Sequence, residues 1–307
     1  MFKKYDKIHR LGKEEVQDIF LCKNLIVQEK IDGGNFRFYI TKNRQIIFGS
    51  RGQQLTSNEG EYTNVAKNFK PVVEYVRNRI YEVFEELDFD KLSKYIFFGE
   101  ACIKHTLSYD WDNMPLFLGF DVYDTEQEKY INIGEANVLF DKLNLPVIPF
   151  TSLDIETFKK KYIDDKFIPI CQYAPKTNSE QLAEGVVIKN YDKQIFTKIV
   201  REEFKEENKK VFGANKKQIE TDEEEFVYKY LTNYRIEKVI LKELDKGKEL
   251  DMNIMGDVIR NTYQDIIEEE WRDILNSNWT LNFKKCRKLI ANRCREVLNN
   301  MIINNSR

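Results

Sequence analysis

A lysine followed by a glycine-containing turn is the first feature of the sequence whose residue types could carry chemistry. Residues 29–35 read Glu-Lys-Ile-Asp-Gly-Gly-Asn, and Lys30 follows an apolar run, residues 24–29, that predicts a β-strand. A lysine amine that loses its proton is a nucleophile, and Asp and Gly favour a tight turn after it. The same letters also fit an ordinary hairpin turn beside a solvated lysine, so this motif alone is only suggestive.

Two carboxylates and two further lysines follow Lys30 along the chain. Glu100 ends an apolar strand, Glu184 precedes the strand-like run 185–189 with Lys189 at its end, and Lys198 lies on the next predicted strand. Carboxylate oxygens suit Mg²⁺, which prefers hard oxygen ligands and keeps several waters. Each fragment also reads as an ordinary strand end. Each fragment alone is a weak signal, and their order along one chain is the stronger one.

The composition excludes several other kinds of protein. The formal net charge is −2, so nucleic-acid binding would have to use local basic patches. No apolar run approaches the ~20 residues of a membrane span, and the N-terminus lacks the apolar segment of a signal peptide, so we expect a cytoplasmic protein. Five widely spaced cysteines and two histidines argue against a disulfide framework or a zinc site.

The pattern of elements predicts an α+β fold with two domains. Residues 1–218 mix strand-like and helix-like segments without regular alternation, which favours largely antiparallel sheets with flanking helices. Residues 219–307 have helical spacing, with a capping box at Thr221 and Glu224, and predict an all-α domain of about three helices. The Lys- and Glu-rich stretch 205–217 is the predicted linker.

The order of these motifs resembles the covalent nucleotidyltransferase superfamily of DNA ligases, RNA ligases and mRNA capping enzymes. K-x-D-G, a strand ending in Gly-Glu, a strand with an aromatic residue, E-G-x-V-x-K and a lysine-bearing strand all occur between residues 30 and 198. The phage-type RNA ligase 2 family is the most similar, through residues 2–5 (Phe-Lys-Lys-Tyr), Asn35, Arg51 and the helical C-terminal region. This resemblance implies a nucleotidyltransferase domain of the ATP-grasp-like ligase type, and a phage or viral origin fits it.

The resemblance also implies a role for each matched residue. Lys30 would take AMP from ATP, Lys189 and Lys198 would contact the α-phosphate, and Glu100 and Glu184 would serve Mg²⁺, or Mn²⁺ in its place, and the ribose. The remaining matched positions would contact the nucleotide or act in joining: Glu29, Ile31, Asn35, Arg51 and Phe120. In one departure, Val200 stands where the family often has a second lysine, which weakens the expected α-phosphate contact.

Lysine attack on ATP explains why cations should surround the nucleophile. A free lysine has a pKa of ~10.4 and must lose its proton before it attacks. Nearby positive charge favours the neutral amine, and Lys189, Lys198 and Mg²⁺ are the expected sources. The same charges would neutralise the triphosphate.

The implied substrate is RNA with 3′-OH and 5′-phosphate ends, at nicks in duplex RNA, with DNA tolerated in part and the protein a monomer. Two basic regions could bind the strand: residues 205, 209, 210, 216 and 217, and residues 284, 285, 287, 288, 293 and 295. Three alternatives remain open: a minimal ATP-dependent DNA ligase, a GTP-using capping guanylyltransferase, and a non-catalytic module that binds nucleic-acid ends.

Overall fold

Two five-stranded sheets form the frame of the N-terminal part of the chain. The computed structural model describes residues 3–62, 69–103, 107–201 and 221–305. The ten strands are β1 His9–Arg10, β2 Asn24–Glu29, β3 Gly34–Ile40, β4 Ile46–Ser50, β5 Tyr95–Ala101, β6 Phe117–Asp124, β7 Lys129–Tyr130, β8 Phe150–Asp154, β9 Gly185–Asn190 and β10 Ile195–Val200.

Sheet 1 has the order β1-β10-β9-β2-β8, and sheet 2 has the order β4-β3-β5-β6-β7. All neighbouring strands are antiparallel except β1 and β10. The predicted α+β fold with largely antiparallel sheets is therefore confirmed. Because β2 belongs to sheet 1 and β3 to sheet 2, the short connection that contains Lys30 crosses from one sheet to the other.

Alternating side chains give each sheet an apolar side and a second, more polar side. In β3, Phe36 and Phe38 lie in the core, where Phe38 stacks on Phe97 with ring centroids 4.8 Å apart. Two helices cover this core, α1 Lys70–Glu82 and α3 Ile133–Lys142, and short α2 Phe89–Leu92 lies between them in sequence. The opposite side of sheet 2 carries Asn35 and Arg37.

Two elements of this unit differ from the sequence prediction. The helical spacing of the apolar residues in 71–87 predicts one helix over that range, but the α-helix ends at Glu82 and a 3₁₀ turn, Phe84–Glu86, follows it. Strand β8 and the helical segment that begins with α4, Ile155–Phe158, were not predicted. Strand β8 pairs with β2 only, and none of its side chains is fully buried, so it lacks the apolar signal of an inner strand.

The C-terminal unit contains four α-helices in its described residues, not about three. They are α5 Asp222–Tyr230, α6 Asn233–Leu244, α7 Met255–Leu275 and α8 Phe283–Asn305. The first predicted helix is split in two because Thr232 caps α6, its hydroxyl accepting from the Arg235 amide at 2.9 Å. Thr221 caps α5, as predicted.

The chain divides into two compact units, one ending at Arg201 and the other starting at residue 202. The predicted boundary at 218/219, the linker 205–217 and the first basic region lie outside the described residues, as does Phe2. All five cysteines are free thiols. In the described part of the chain, no helix combines the length and apolar character that crossing a bilayer requires.

Candidate active site

Lys30 and Glu184, which lie 154 residues apart in the chain, are in direct contact. The Lys30 amine is 2.5 Å from Oε2 of Glu184, with the lysine side chain 19% exposed and the carboxylate 1% exposed. Strand pairing brings them together, because the Lys30 amide donates to the Gly185 carbonyl at 2.9 Å. A Cβ on Gly185 would lie 2.0 Å from the Ile199 carbonyl oxygen, so close strand packing requires glycine after Glu184.

The turn after Lys30 is held by its own aspartate and first glycine. The buried Asp32 carboxylate accepts from the Leu107 amide at 2.8 Å, and the Asp32 amide donates to the Tyr109 hydroxyl at 2.7 Å. At Gly33, a Cβ would lie 2.8 Å from Cγ of Glu100. Glu100 therefore packs against the turn that carries Lys30, and the K-x-D-G motif has a packing reason at each position.

Asn35 and Glu100 are direct cross-strand partners on β3 and β5, so their side chains lie on the same side of sheet 2. The Asn35 Oδ1 atom is buried and has no hydrogen-bond partner. A buried unpaired acceptor costs free energy, which makes it a candidate contact for the donor of a bound molecule.

Glu29 provides a second acceptor of this kind. One of its oxygens accepts from the Gln172 amide at 2.9 Å, and the other, Oε1, is buried without a hydrogen-bond partner. Burial raises the pKa of Glu29. The adjacent Ile31 is buried, at 3% exposure.

Phe120 is the extra residue of a β-bulge. Phe98 pairs with Asp121 and Gly99 pairs with Gly119, which leaves Phe120 between them without a partner on β5. Its ring contacts the Tyr5 ring edge-on, with centroids 5.0 Å apart, and lies 5.2 Å from the Lys189 amine. Stacking of Phe120 on adenine stays a prediction.

Lys189 lies against a buried carboxylate of sheet 2. Its amine is buried, 2.9 Å from Asp121 Oδ2 and 2.8 Å from the Phe120 carbonyl oxygen. Burial lowers the pKa of Lys189, and the Asp121 carboxylate opposes that effect. Lys189 lies four positions along β9 from Gly185, which is beside Lys30, a separation of about 13 Å. Its contact with the α-phosphate stays a prediction.

Lys198 lies on the same side of sheet 1 as Lys30. Lys198 pairs with Val187 on β9, and Val187 pairs with Gln28 on β2, so these three side chains lie on the same side of the sheet. Lys30 lies two residues after Gln28 and therefore lies on that side as well. Val200 is on this side too, opposite Gly185. The Lys189–Asp121 contact shows that this side of sheet 1 faces the polar side of sheet 2. We call the region between them, defined by Lys30, Glu184, Glu100, Asn35 and Lys198, the inter-sheet site.

Two residues of this region were not singled out from sequence. Asp121 is fully buried and accepts hydrogen bonds from Lys189 and from the Tyr5 and Tyr191 hydroxyls. Arg37 is 2% exposed, burial lowers its pKa to about 10, and its guanidinium donates to the carbonyl of the exposed Arg51 at 3.3 Å. The available signal was a charged residue inside an apolar strand, which must find a partner when buried.

The carboxylates of the site can be compared with the ligands that a divalent cation requires. Among the described residues, no group of three or more His, Cys, Asp and Glu side chains is arranged to hold a metal ion. Glu100 and Glu184 supply two carboxylates on either side of the turn that carries Lys30. This set fits Mg²⁺ or Mn²⁺ that keeps most of its waters, and it does not fit a closed structural site.

Comparison with known proteins gives a family match and distant structural neighbours. A Naegleria gruberi RNA ligase with PPi is 19% identical, with 68% of this chain and 58% of that chain covered and a TM-score of 0.46. A mutant of that ligase with ATP and Mn is 19% identical (67% and 58% covered, TM-score 0.44). An archaeal ATP-dependent RNA ligase is 18% identical (68% and 52% covered, TM-score 0.42).

The chain spans less than two thirds of the length of each of these solved structures. No curated protein matches it. A model of the RNA ligase family matches residues 23–207, more than half of the chain, and this range includes every predicted site residue. The match confirms the resemblance to RNA ligases seen in the order of the motifs, and the chain belongs to the RNA ligase family.

Proposed function

We propose that this protein is an ATP-dependent RNA ligase that forms a covalent lysyl-AMP on Lys30 and joins 3′-OH and 5′-phosphate RNA ends. The observation that carries the proposal is the contact between the Lys30 amine and the buried Glu184 carboxylate, within the part of the chain that matches the family. A lysine held at the end of a strand, beside a carboxylate and a tight turn, is a positioned nucleophile.

In the first step, the Lys30 amine forms a bond to the α-phosphorus of ATP, the bond from that phosphorus to the bridging oxygen breaks, and pyrophosphate leaves. Glu184 orients the amine, and its Oε2 is the atom that accepts the proton the amine loses. Lys198, on the same side of sheet 1, stabilises charge on the α-phosphate.

Glu100 and Glu184 would hold Mg²⁺ or Mn²⁺ through its waters. When bound, such an ion supplies positive charge that neutralises the triphosphate. No cluster of three or more ligand side chains occurs in the part of the chain that the structure describes, and two carboxylates suit Mg²⁺, which dehydrates reluctantly and keeps its waters. A relative described with ATP and Mn agrees with the choice of nucleotide and metal.

The buried Oε1 of Glu29 supports a contact with the adenine edge, because the adenine amino group can donate a hydrogen bond to it. Phe120 would stack on the base, and Asn35 and Arg51 would act near the phosphates during joining.

In the next steps, AMP moves from Lys30 to the 5′-phosphate of one RNA end, and the 3′-OH of the other end then displaces AMP. We propose nicked duplex RNA as the substrate and a monomer as the active form. Helix α8 supports a nucleic-acid partner, because exposed basic side chains lie along it: Lys284, Arg287, Lys288 and Arg295.

Labelling with ATP tests the proposal. Wild-type protein incubated with ATP and Mg²⁺ should acquire an AMP adduct on Lys30, located by peptide mass spectrometry. The yield of AMP adduct in Lys30→Ala should be more than ~100-fold below that of the wild type, because the nucleophile is gone. Lys23→Ala, at an exposed lysine just before β2, is the matched control and should label normally.

An adduct of equal yield in Lys30→Ala would exclude Lys30 as the nucleophile. Labelling by GTP alone would favour the capping alternative, and sealing of DNA nicks in preference to RNA nicks would favour the DNA ligase alternative.

A further inference from the structure

We propose that Trp111 is a stacking platform for the base of a nucleotide at the RNA end being joined. This inference rests on the proposed function, because it gives the RNA end a contact beside Lys30. It adds a binding residue in a part of the chain where no motif predicts one.

The loop that carries Trp111 is fastened to the turn that carries Lys30. Asp32, two residues after Lys30, accepts from the Leu107 amide at 2.8 Å and donates to the Tyr109 hydroxyl at 2.7 Å. The Tyr109 ring contacts the Trp111 ring edge-on, with centroids 5.5 Å apart and an interplanar angle of 87°. The buried Tyr109 therefore lies between the Trp111 indole and the backbone of the turn that carries Lys30.

The same loop is also fixed from its other side. The Asp110 amide donates to the Tyr173 carbonyl at 2.9 Å, and the Gln181 side chain donates to the Ser108 carbonyl at 2.7 Å. The segment around Tyr173 includes Gln172, whose amide binds Glu29. Two loops that hold the residues on either side of Lys30 are thus joined to each other, and Trp111 stands on one of them.

Trp111 is exposed although two other large side chains of the same loop are buried. It is 40% exposed, whereas Tyr109 is 3% and Met114 is 7% exposed. The turn is tight, since the amides of Asn113 and Met114 both donate to the Asp110 carbonyl, at 3.0 and 2.8 Å. The loop therefore holds a large flat ring at the surface while it buries smaller groups, which is uncommon for tryptophan.

The surroundings of the ring favour a base over a phosphate. Asp112 beside it is exposed, and Asp110 precedes it, so a phosphate would meet like charge there. An unpaired or terminal base carries no charge and has a flat face that stacks on aromatic rings. RNA ends, unlike the interior of a duplex, offer such a face.

Direct binding and joining measurements test this inference without the first chemical step. Wild-type protein and Trp111→Ala would be compared for affinity to dye-labelled nicked RNA, and for KM in sealing a pre-adenylylated 5′ end without ATP. We expect affinity to fall about 10-fold and KM to rise about 10-fold in Trp111→Ala, with Trp111→Phe close to wild type. Trp271→Ala, at a tryptophan that is 44% exposed in the other unit, is the matched control.

An abasic nucleotide at one side of the nick identifies the stacking partner. If the base at the 5′-phosphate or at the 3′-OH end stacks on Trp111, removing that base should weaken wild-type binding and should not weaken Trp111→Ala further. Lysyl-AMP formation should be unchanged in Trp111→Ala, which separates stacking from damage to the Lys30 turn.

Unchanged RNA affinity in Trp111→Ala would overturn the proposal and leave the ring to a protein partner. Equal losses in Trp111→Ala and Trp111→Phe, together with loss of lysyl-AMP, would show a merely structural role. A wild-type protein that forms no lysyl-AMP, yet loses RNA affinity in Trp111→Ala, would contradict the proposed function and not the stacking contact.

Discussion

Lys189 and Lys198 lie on neighbouring strands and on the same side of sheet 1, but their surroundings differ. The Lys189 amine is buried with Asp121, which also accepts from the Tyr5 and Tyr191 hydroxyls. Removing one member of a buried ion pair lowers the stability of the fold, because the remaining buried charge then has no charged partner. Lys189 therefore has the environment of a structural residue, and its contact with Phe120 through the backbone carbonyl ties it to the bulge.

Removal of each lysine should separate these two roles. We expect Lys189→Met to lower the free energy of unfolding by about 3 kcal/mol, because Asp121 would keep its charge in a buried place. Lys198 is only partly buried, so Lys198→Met should lower that free energy by less than Lys189→Met does, and it should slow lysyl-AMP formation by about 100-fold. Urea unfolding and ATP labelling of the same preparations measure both effects.

The opposite pattern would contradict this assignment. If Lys189→Met unfolded at the wild-type urea concentration but failed to label, Lys189 would have to leave Asp121 and reach the phosphate when ATP binds.

Strand membership of the site residues could be predicted from their spacing, but the partner of Lys189 could not. The order of motifs placed Lys30 at the end of a strand, Glu184 just before a strand and Lys198 on a strand, and the strands concerned, β2, β9 and β10, are neighbours in sheet 1. Which buried carboxylate meets Lys189 depends on how the two sheets face each other, and that packing leaves no periodic signal. Asp121, inside an apolar strand, indicated only that some partner was needed.

At the scale of elements, helix α8 separates its basic residues into two groups. Lys285 lies 3.8 Å from Glu223, and Arg293 binds Asn233 at 2.8 Å and pairs with Glu296. The others are exposed, and Lys284, Lys288 and Arg295 follow one side of the helix at spacings of four and seven residues. The predicted basic surface therefore consists mainly of this exposed stripe.

Neutralising the stripe should weaken RNA binding in a salt-dependent way. For the triple variant Lys284→Gln, Lys288→Gln, Arg295→Gln, we expect the slope of log affinity against log salt to fall by about 3, close to one per lost phosphate contact. Lysyl-AMP formation should be unchanged, since all residues of the inter-sheet site precede residue 202. Binding of nicked duplex RNA between 50 and 200 mM salt provides the measurement.

A triple variant of exposed lysines in the N-terminal unit, Lys129→Gln, Lys142→Gln, Lys160→Gln, removes the same charge and serves as the control. Equal slopes for the two triple variants would show that net charge, and not the stripe, governs binding.

Elements with strong periodicity were predicted well, and those with weak signals were not. The alternation of Phe36 and Phe38 with Arg37 and Tyr39 predicts a hairpin of strands 35–41 and 45–49, and β3 and β4 lie within one residue of those bounds. The break between α5 and α6 was missed because apolar spacing continues through Leu231, and only the capping of α6 by Thr232 reveals it. Strand β8 is short and mostly exposed, so its formation depends on pairing with β2.

At the scale of the whole molecule, the two units have separate cores and separate proposed tasks. The helical unit has its own apolar cluster, which includes Phe226, Ile240, Val258 and Ile290. The inter-sheet site is built entirely within the N-terminal unit. Variants in the helical unit are therefore expected to act on RNA binding and on stability, and not on the chemistry of Lys30.

Asp245 should make the stability of the helical unit depend on pH. It follows α6 directly, where the carbonyl end of a helix disfavours negative charge. Burial raises the pKa of Asp245 to about 7, and the positive charge of Lys242 opposes this rise. The unfolded chain has an Asp pKa of ~3.9, so between those values the folded state binds more protons, and stability falls as pH rises through this window.

Asp245→Asn should remove this dependence and raise the free energy of unfolding at pH 8 by about 1–2 kcal/mol, after allowance for screening by solvent. The chain has three tryptophans, of which Trp271 and Trp279 belong to the helical unit, so in a Trp111→Phe background fluorescence follows that unit alone. Urea unfolding at pH 5 and pH 8 would compare Asp245→Asn with Asp141→Asn, an exposed carboxylate in the other unit. A parent protein equally stable at both pH values, or an Asp245→Asn variant that keeps the parent's pH dependence, would show that Asp245 is not the group responsible.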